Sequence, residues 1–298
     1  MGRVRTGDPL RRMRVFRGLR GPVRPPRRAV VTIGVFDGVH RAHRRLLLAA
    51  VRLARRRGGT SIAVTFDPDP AVVLNPVRAH PALMPLEARL ARFRLLGLDA
   101  VWILPFTTRF SRMSARRFID AILLSRLRTT ALIVGESFVF GRHRTGDLAM
   151  LRATARQRGM EVVPIGELRQ GGSPISSSRI RQLIAQGRLA QARRLLGAVP
   201  TLYGVVVPGA GRGRRLGVPT ANLRMRSDVL PPRGVYAVAV HDVGRPNRRW
   251  RGATPPPSGV RIPRTAGRSP LAFGKPLGGG VMNLGVRPTF GPGPVVCE

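Results

Sequence analysis

The sequence predicts an α/β protein of two domains, a parallel doubly wound domain followed by a smaller antiparallel β domain. Three observations carry this. Apolar β-branched runs alternate with stretches of helical period as far as Leu196. Past Gly197 the helical period vanishes, and short β-branched runs punctuated by glycine and proline take over. The 298 residues suffice for two modest cores.

Val30 to Phe36 is a continuous apolar run, the pattern of a strand buried on both faces, and Asp37-Gly38 is a turn signal. From Ala42 onward apolar residues recur at Leu46, Leu47, Ala50, Val51 and Ala54 with arginines between them, which is a helix with one apolar face. The alternation continues with a strand at Ser61 to Phe66, a helix at Leu86 to Leu96, a strand at Ala100 to Leu104 and a helix at Ser114 to Leu124. Then come a strand at Ala131 to Val134, a helix at Asp147 to Arg158, a strand at Val162 to Ile165, and helices at Ser177 to Gln186 and Leu189 to Leu196. Such spacing implies a parallel sheet with right-handed crossovers and a ligand site at the carboxyl ends of its strands. Leu202 to Val207, Gly234 to Val240 and Gly280 to Gly285 read as strands of a small antiparallel barrel or sandwich. The expected domains are therefore residues 13–197 and 198–298, after an extension over residues 1–12. A Pro-, Gly- and Arg-rich insertion over about residues 242–279, centred on Thr254-Pro255-Pro256-Pro257-Ser258-Gly259, is expected to be disordered.

The net charge is +39, yet nearly all the basic residues are arginine and Lys275 is the sole lysine. That skew, with few aromatics, argues for a surface imprint of composition over a dedicated nucleic-acid stripe, so only non-specific contact with nucleic acid is expected. A single cysteine excludes an intramolecular disulfide and fits a reducing cytoplasm. No apolar run approaches the ~20 residues of a membrane span, so no membrane partner is expected.

The chemistry concentrates at His40 and His43, three apart where the first strand gives way to a helix. Helix N-termini attract anions through unpaired N–H groups and the dipole, and imidazoles one turn apart can both reach one phosphate. Nucleotidyl transfer with the histidines donating to phosphate oxygens is the reaction this suggests. Further along, Phe66-Asp67-Pro68-Asp69-Pro70 closes the second strand and places two carboxylates at the crevice, for ligand, magnesium or an ordinary Asx-Pro turn. Gly135-Glu136-Ser137-Phe138-Val139-Phe140-Gly141 is a strand-end loop offering close backbone approach and two flat rings for an adenine or flavin ring, or for packing on the sheet. Ile175-Ser176-Ser177-Ser178-Arg179-Ile180-Arg181 opens a helix at which serines are ordinarily caps.

In order along the chain these segments resemble the motifs of the bacterial bifunctional riboflavin kinase/FAD synthetases. Gly34-Val35-Phe36-Asp37-Gly38-Val39-His40-Arg41-Ala42-His43 resembles the family's G-(N or V)-F-D-G-V-H-x-G-H, with Ala42 for glycine. Asp69 stands where that family has histidine, and Ser137 where it has Asn or Asp. The serine segment resembles I-S-S-T-x-I-R. In the second half, Gly209-Ala210-Gly211-Arg212-Gly213-Arg214-Arg215-Leu216-Gly217-Val218-Pro219-Thr220-Ala221-Asn222 resembles the flavokinase G-x-G-R-G-x-x-L-G-(F or V)-P-T-A-N. Asn283-Leu284-Gly285-Val286-Arg287-Pro288-Thr289-Phe290 resembles N-I-G-x-R-P-T-F, which puts the family's catalytic glutamate at Glu298.

The resemblance implies a Rossmann-like nucleotidyltransferase domain followed by an incomplete flavokinase-like barrel, using ATP, FMN and riboflavin with magnesium. It implies catalytic roles for His40, His43, Ser176, Ser177, Arg181 and Glu298. Nucleotide or flavin contacts fall to Gly34, Phe36, Asp37, Gly38, Phe66, Gly135, Ser137, Phe138, Gly211, Gly213, Gly217 and Pro219, and the metal to Thr220 and Asn222. The Ala42 methyl is expected to crowd the nucleotide, and a glutamate at the chain end is expected to impair the kinase half. Two other readings compete: a non-catalytic relative that binds flavin or nucleotide, and a basic RNA-associated protein supported by charge alone.

Overall fold

The computed structural model describes residues 13–22, 24–208, 220–243, 275–285 and 296–297. They fall into two compact units, Met1–Pro81 with Leu86–Ser178, and Ala82–Pro85 with Arg179–Glu298.

The first unit is built on a six-stranded, wholly parallel sheet of β1 (Arg14–Arg17), β2 (Ala29–Ile33), β3 (Thr60–Phe66), β4 (Ala100–Leu104), β5 (Thr129–Gly135) and β6 (Glu161–Ile165). Their order across the sheet is β1-β4-β3-β2-β5-β6. The chain winds outward from β2 to β3 and β4, then crosses back to put β5 on the other flank of β2. That reversal makes the carboxyl ends of β2 and β5 the topological switch point, where an open α/β sheet binds its ligand. β2 is buried at every position, which is why it reads as an unbroken apolar run.

Helix α1 (Arg41–Arg56) follows β2 and lays Leu47, Ala50, Val51, Leu53 and Ala54 against the sheet. Short α2 (Pro70–Leu74) follows β3, and α3 (Leu86–Leu95) precedes β4. Between β4 and β5 run α4 (Thr108–Ser111) and α5 (Ala115–Phe118), the latter continuing as a wider π-helix over Ile119–Arg126. Helix α6 (Leu148–Arg158) is capped by the Asp147 side chain and joins β5 to β6. A small antiparallel hairpin, β7 (Arg169–Gln170) and β8 (Ser173–Pro174), then leads into α7 (Ser177–Ala185), which crosses from the first unit into the second.

The second unit continues with α8 (Leu189–Leu196) and an antiparallel sheet of β9 (Gly204–Val207), β10 (Asn222–Met225), β11 (Gly234–Asp242), β12 (Lys275–Gly285) and β13 (Val296–Cys297). Its strand order is β11-β12-β13-β10-β9. Along β11 more and less exposed residues alternate up to Ala239, the mark of a sheet with one covered face. Among the described residues no helix is long and apolar enough to cross a membrane.

Sequence and structure differ at particular places. The first strand stops at Ile33, short of Phe36, because Phe36 turns into the left-handed region with φ of 56°. Strand β1 has no apolar run to announce it, since Arg14–Arg17 borrows its place from pairing with β4. Pairing of β11 with β12 extends to His241↔Pro276 and Asp242↔Lys275 across a bulge, so residues 275–279, expected as part of a disordered insertion, are strand. The glycine loop with Gly211, Gly213, Gly217 and Pro219, most of the insertion, the segment Val286 to Phe290, and Glu298 lie outside the described residues.

Candidate active site

The turn from Gly34 to His40 has an unusual backbone. Phe36 (φ 56°), Gly38 (φ 79°) and Val39 (φ 42°) are all left-handed. For a non-glycine residue that costs on the order of 1–3 kcal/mol, so the surroundings must hold it. They do so through its carbonyls. Val35 C=O accepts from the Arg89 guanidinium and from Thr65 Oγ1 at 3.1 Å, and Phe36 C=O accepts from Val39 N–H at 3.1 Å. Asp37 C=O accepts from Ser177 Oγ at 2.9 Å, and Val39 C=O from Arg44 Nε at 3.1 Å. The last of these, His40 C=O, begins α1 by accepting from Arg44 N–H at 2.9 Å.

His40 is the N-cap of α1, its Nδ1 accepting from the His43 N–H at 3.4 Å. That bond needs an unprotonated Nδ1, which puts the ring proton of neutral His40 on Nε2. The His43 ring stacks on the His40 ring, centroids 3.6 Å apart and planes 18° apart. Its Nδ1 is buried with no hydrogen-bond partner. Burial, then the neighbouring His40, then Arg89 push the His43 pKa well below its usual value. At neutral pH His43 is therefore uncharged, and the turn presents stacked imidazoles at a helix N-terminus. A buried polar atom without a partner is costly.

Phe36 is 1% exposed and meets the rings of His43 and Phe93 edge-on at 5.3 and 5.6 Å. Its side chain is packed in the core, so the ligand contact expected of Phe36 falls to its backbone only as a proposal. Gly34 packs under the same ring, and a Cβ there would stand 3.1 Å from it. Asp37 is buried beside Arg89, itself 7% exposed on α3. Burial lowers the Arg89 pKa, and Asp37, Asp69, Asp67 and Glu87 oppose that effect. The Asp69 carboxylate, where the resembled family has histidine, caps α2 by accepting from Ala71 N–H at 2.9 Å. Phe66 packs edge-on against Phe106 at 5.7 Å.

The loop after β5 is looser. A Cβ on Gly135 would meet nothing within 4 Å, and Glu136 and Ser137 are exposed. Phe138 stacks on Phe140 at 5.5 Å, but Phe140 itself is buried against Phe118. One ring of the two is thus packing. Gly141 is obligatory for a different reason: at φ 75° its Cβ would fall 2.6 Å from the Ala115 backbone.

Ser177 begins α7, and its hydroxyl is donated to the Asp37 carbonyl 140 residues away, joining the two histidine-and-serine motifs. Ser176 is half-buried beside it, and Arg181 lies on the part of α7 that belongs to the second unit. In that unit Thr220 is exposed, and Asn222 opens β10 opposite Val207. Sequence reasoning missed Arg89 and Thr65, which belong to no motif. The signal for Arg89 was a charged residue four positions before Phe93, on the face that α3 buries.

Two family models match, one described as FAD synthetase over residues 23–179 and one as riboflavin kinase over residues 196–298. A bifunctional riboflavin kinase/FMN adenylyltransferase from Escherichia coli K12 is 36% identical over 253 residues, 84% of this chain and 81% of that protein. One from Listeria monocytogenes is 37% identical over 211 residues, 70% of this chain and 67% of that protein. A solved structure described as a macrolide-efflux protein from Streptococcus pneumoniae superposes with a TM-score of 0.67 at 27% identity, covering 76% of this chain and 74% of that one. Since both modules are matched within one chain, and bifunctional relatives are 36% and 37% identical over the aligned residues, this protein belongs to the family of bifunctional riboflavin kinase/FMN adenylyltransferases.

Proposed function

We propose that the protein makes FAD, transferring AMP from ATP to FMN in its first unit, and phosphorylates riboflavin to FMN in its second. The observation that carries the first activity is the stacked His40/His43 pair at the N-terminus of α1, on a turn whose Val35, Phe36, Asp37, Val39 and His40 carbonyls all accept from protein donors. An FMN phosphate oxygen attacks the α-phosphorus of ATP, the bond from that phosphorus to the bridging oxygen breaks, and pyrophosphate leaves with the electron pair. No group on the protein becomes covalently bound. His40 and His43 donate to phosphate oxygens as charge builds on them.

Ser177 acts indirectly in this reading, because its proton is committed to Asp37 C=O and it fixes the turn. Ser176 binds the leaving phosphates, as the family motif implies. Glu298 is the base toward the riboflavin hydroxyl, and Gly211, Gly213, Gly217 and Pro219 cover the nucleotide of the kinase half. Magnesium fits Thr220 and Asn222, whose neutral oxygens, two positions apart at the start of β10, suit a hard cation that keeps water and phosphate as its other ligands. When bound, it neutralises charge on the transferring phosphoryl group. The enzyme works in the cytoplasm, where ATP is at hand and its one cysteine needs no partner.

The test is incubation of the full chain with ATP, magnesium and either FMN or riboflavin, followed by chromatographic separation of the flavins. FAD from FMN, and FMN from riboflavin, are the expected products. Absence of FAD would remove the first assignment, and absence of FMN the second.

A further inference from the structure

Arg89 lies in none of the motifs, yet it is a buried charge bonded to the histidine turn. It is buried on α3, and its Nη1 donates both to the Val35 carbonyl and to Thr65 Oγ1 at 3.2 Å. Val35 is the last residue before the left-handed run and Thr65 lies near the carboxyl end of β3, so one guanidinium ties α3 to the ends of β2 and its neighbour β3. Thr65 Oγ1 in turn donates to the same Val35 carbonyl, which closes a three-way contact. We infer that Arg89 is a positioning residue for adenylyl transfer: it clamps the start of the strained turn so that His40 and His43 stay stacked at the phosphate, and its cation faces Asp37 from behind the turn. The inference rests on the adenylyl-transfer reading above.

The clamp has an electrostatic consequence. His43 is faced by His40 at its own helix start and by Arg89 from α3; Asp37 of the turn, Asp67 and Asp69 after β3 and Glu87 on α3 act on Arg89 in turn. The Arg89 charge helps keep His43 neutral. Lysine at this position keeps the cation and loses the planar fork, whereas methionine keeps the bulk and loses both. The two substitutions therefore separate charge from geometry.

The experiment is titration of the His43 ring by NMR, with steady-state FAD formation, in the full-length wild type, Arg89→Lys and Arg89→Met. In Arg89→Met the His43 titration should move to higher pH. Its kcat should fall on the order of a hundredfold, the penalty of a small misplacement of reacting groups, with KM values changing only a few-fold. In Arg89→Lys the titration should stay as in wild type while kcat falls about tenfold, because charge is kept and the fork is lost. Wild-type kcat in Arg89→Lys, or an unmoved His43 titration in Arg89→Met, would overturn the inference. Should Arg89→Met not fold, Arg89→Lys decides alone by the same two readouts. A wild type that makes no FAD defeats the functional reading, and the titration still judges Arg89.

Discussion

The turn after β2 and the loop after β5 stand at the carboxyl ends of neighbouring parallel strands and are built to opposite specifications. In the first, Phe36, Asp37, Val39 and His40 are all buried, two non-glycine residues are left-handed, and the backbone carbonyls are tied to α1, α3, β3 and α7. In the second, Glu136 and Ser137 are exposed and Gly135 has open space where a side chain would stand. Groups that must meet a developing charge gain from being fixed in advance, because no reorganisation is then needed during the reaction. A surface that receives a flat ring needs only room and one apolar face. On the proposed function, the β2 turn carries the chemistry and the β5 loop accommodates the ligand.

The sharpest way to break that division is at His43. Removing an oriented donor to developing charge costs on the order of 10²–10³ in rate, so His43→Ala should make FAD at under a hundredth of the wild-type rate. Chromatographic rates near wild type would move the chemistry elsewhere.

Ser177→Ala tests whether the tying of the turn matters, since it removes only the bond to the Asp37 carbonyl. A buried neutral hydrogen bond contributes about 1 kcal/mol, so a fall of up to roughly tenfold in kcat and a lower melting temperature are expected. Loss of ATP affinity with unchanged melting would instead mean that the hydroxyl meets phosphate directly.

The fixed turn also carries a pH signature. The folded-state pKa of His43 lies below the unfolded value of about 6.5, so between the two the unfolded chain binds the proton that the folded chain refuses. The contribution of His43 is therefore whole above pH about 6.5 and declines as the pH falls through that window. Urea midpoints at pH 7.5 and 5.5 should differ less in His43→Gln than in wild type. An equal difference in both proteins would show that His43 is not the group responsible.

How far the sequence anticipated this contrast follows from what each feature rests on. The alternation of strands and helices was legible because β2, β4 and β5 are buried along nearly their whole length, and the α1 stripe keeps helical period. The placing of the histidine pair was legible from its position between an apolar run and a helical stripe. Arg89 was not, because its partners are a backbone carbonyl and a threonine hydroxyl, 54 and 24 residues away. Nor was the use of Ser177, since a serine at a helix start is ordinarily a cap, whereas here it reaches across to Asp37. Asp69 shows the converse: read from sequence as a foreign charge at the crevice, it is occupied in capping α2. Asp69→Ala should accordingly cost about 1 kcal/mol in denaturant unfolding and Asp69→Asn only a few tenths, because asparagine caps as well.

The smallest expected effect lies in the β5 loop. Alanine at Gly135 would place its methyl in open space, and no positive φ demands glycine there, so unfolding free energy should change by less than about 0.5 kcal/mol. Gly141→Ala is the control within the same loop, for it forces a Cβ to 2.6 Å from the Ala115 backbone at a left-handed φ and should be plainly destabilised. If the space at Gly135 belongs to a ligand, the methyl will be felt only when that ligand binds: KM for FMN or ATP rises several-fold while kcat at saturation holds. An unchanged KM for both would mean that nothing approaches Gly135 closely, and the part of the loop that receives the ring would then have to be sought at Phe138, which stacks on Phe140 and is only partly buried.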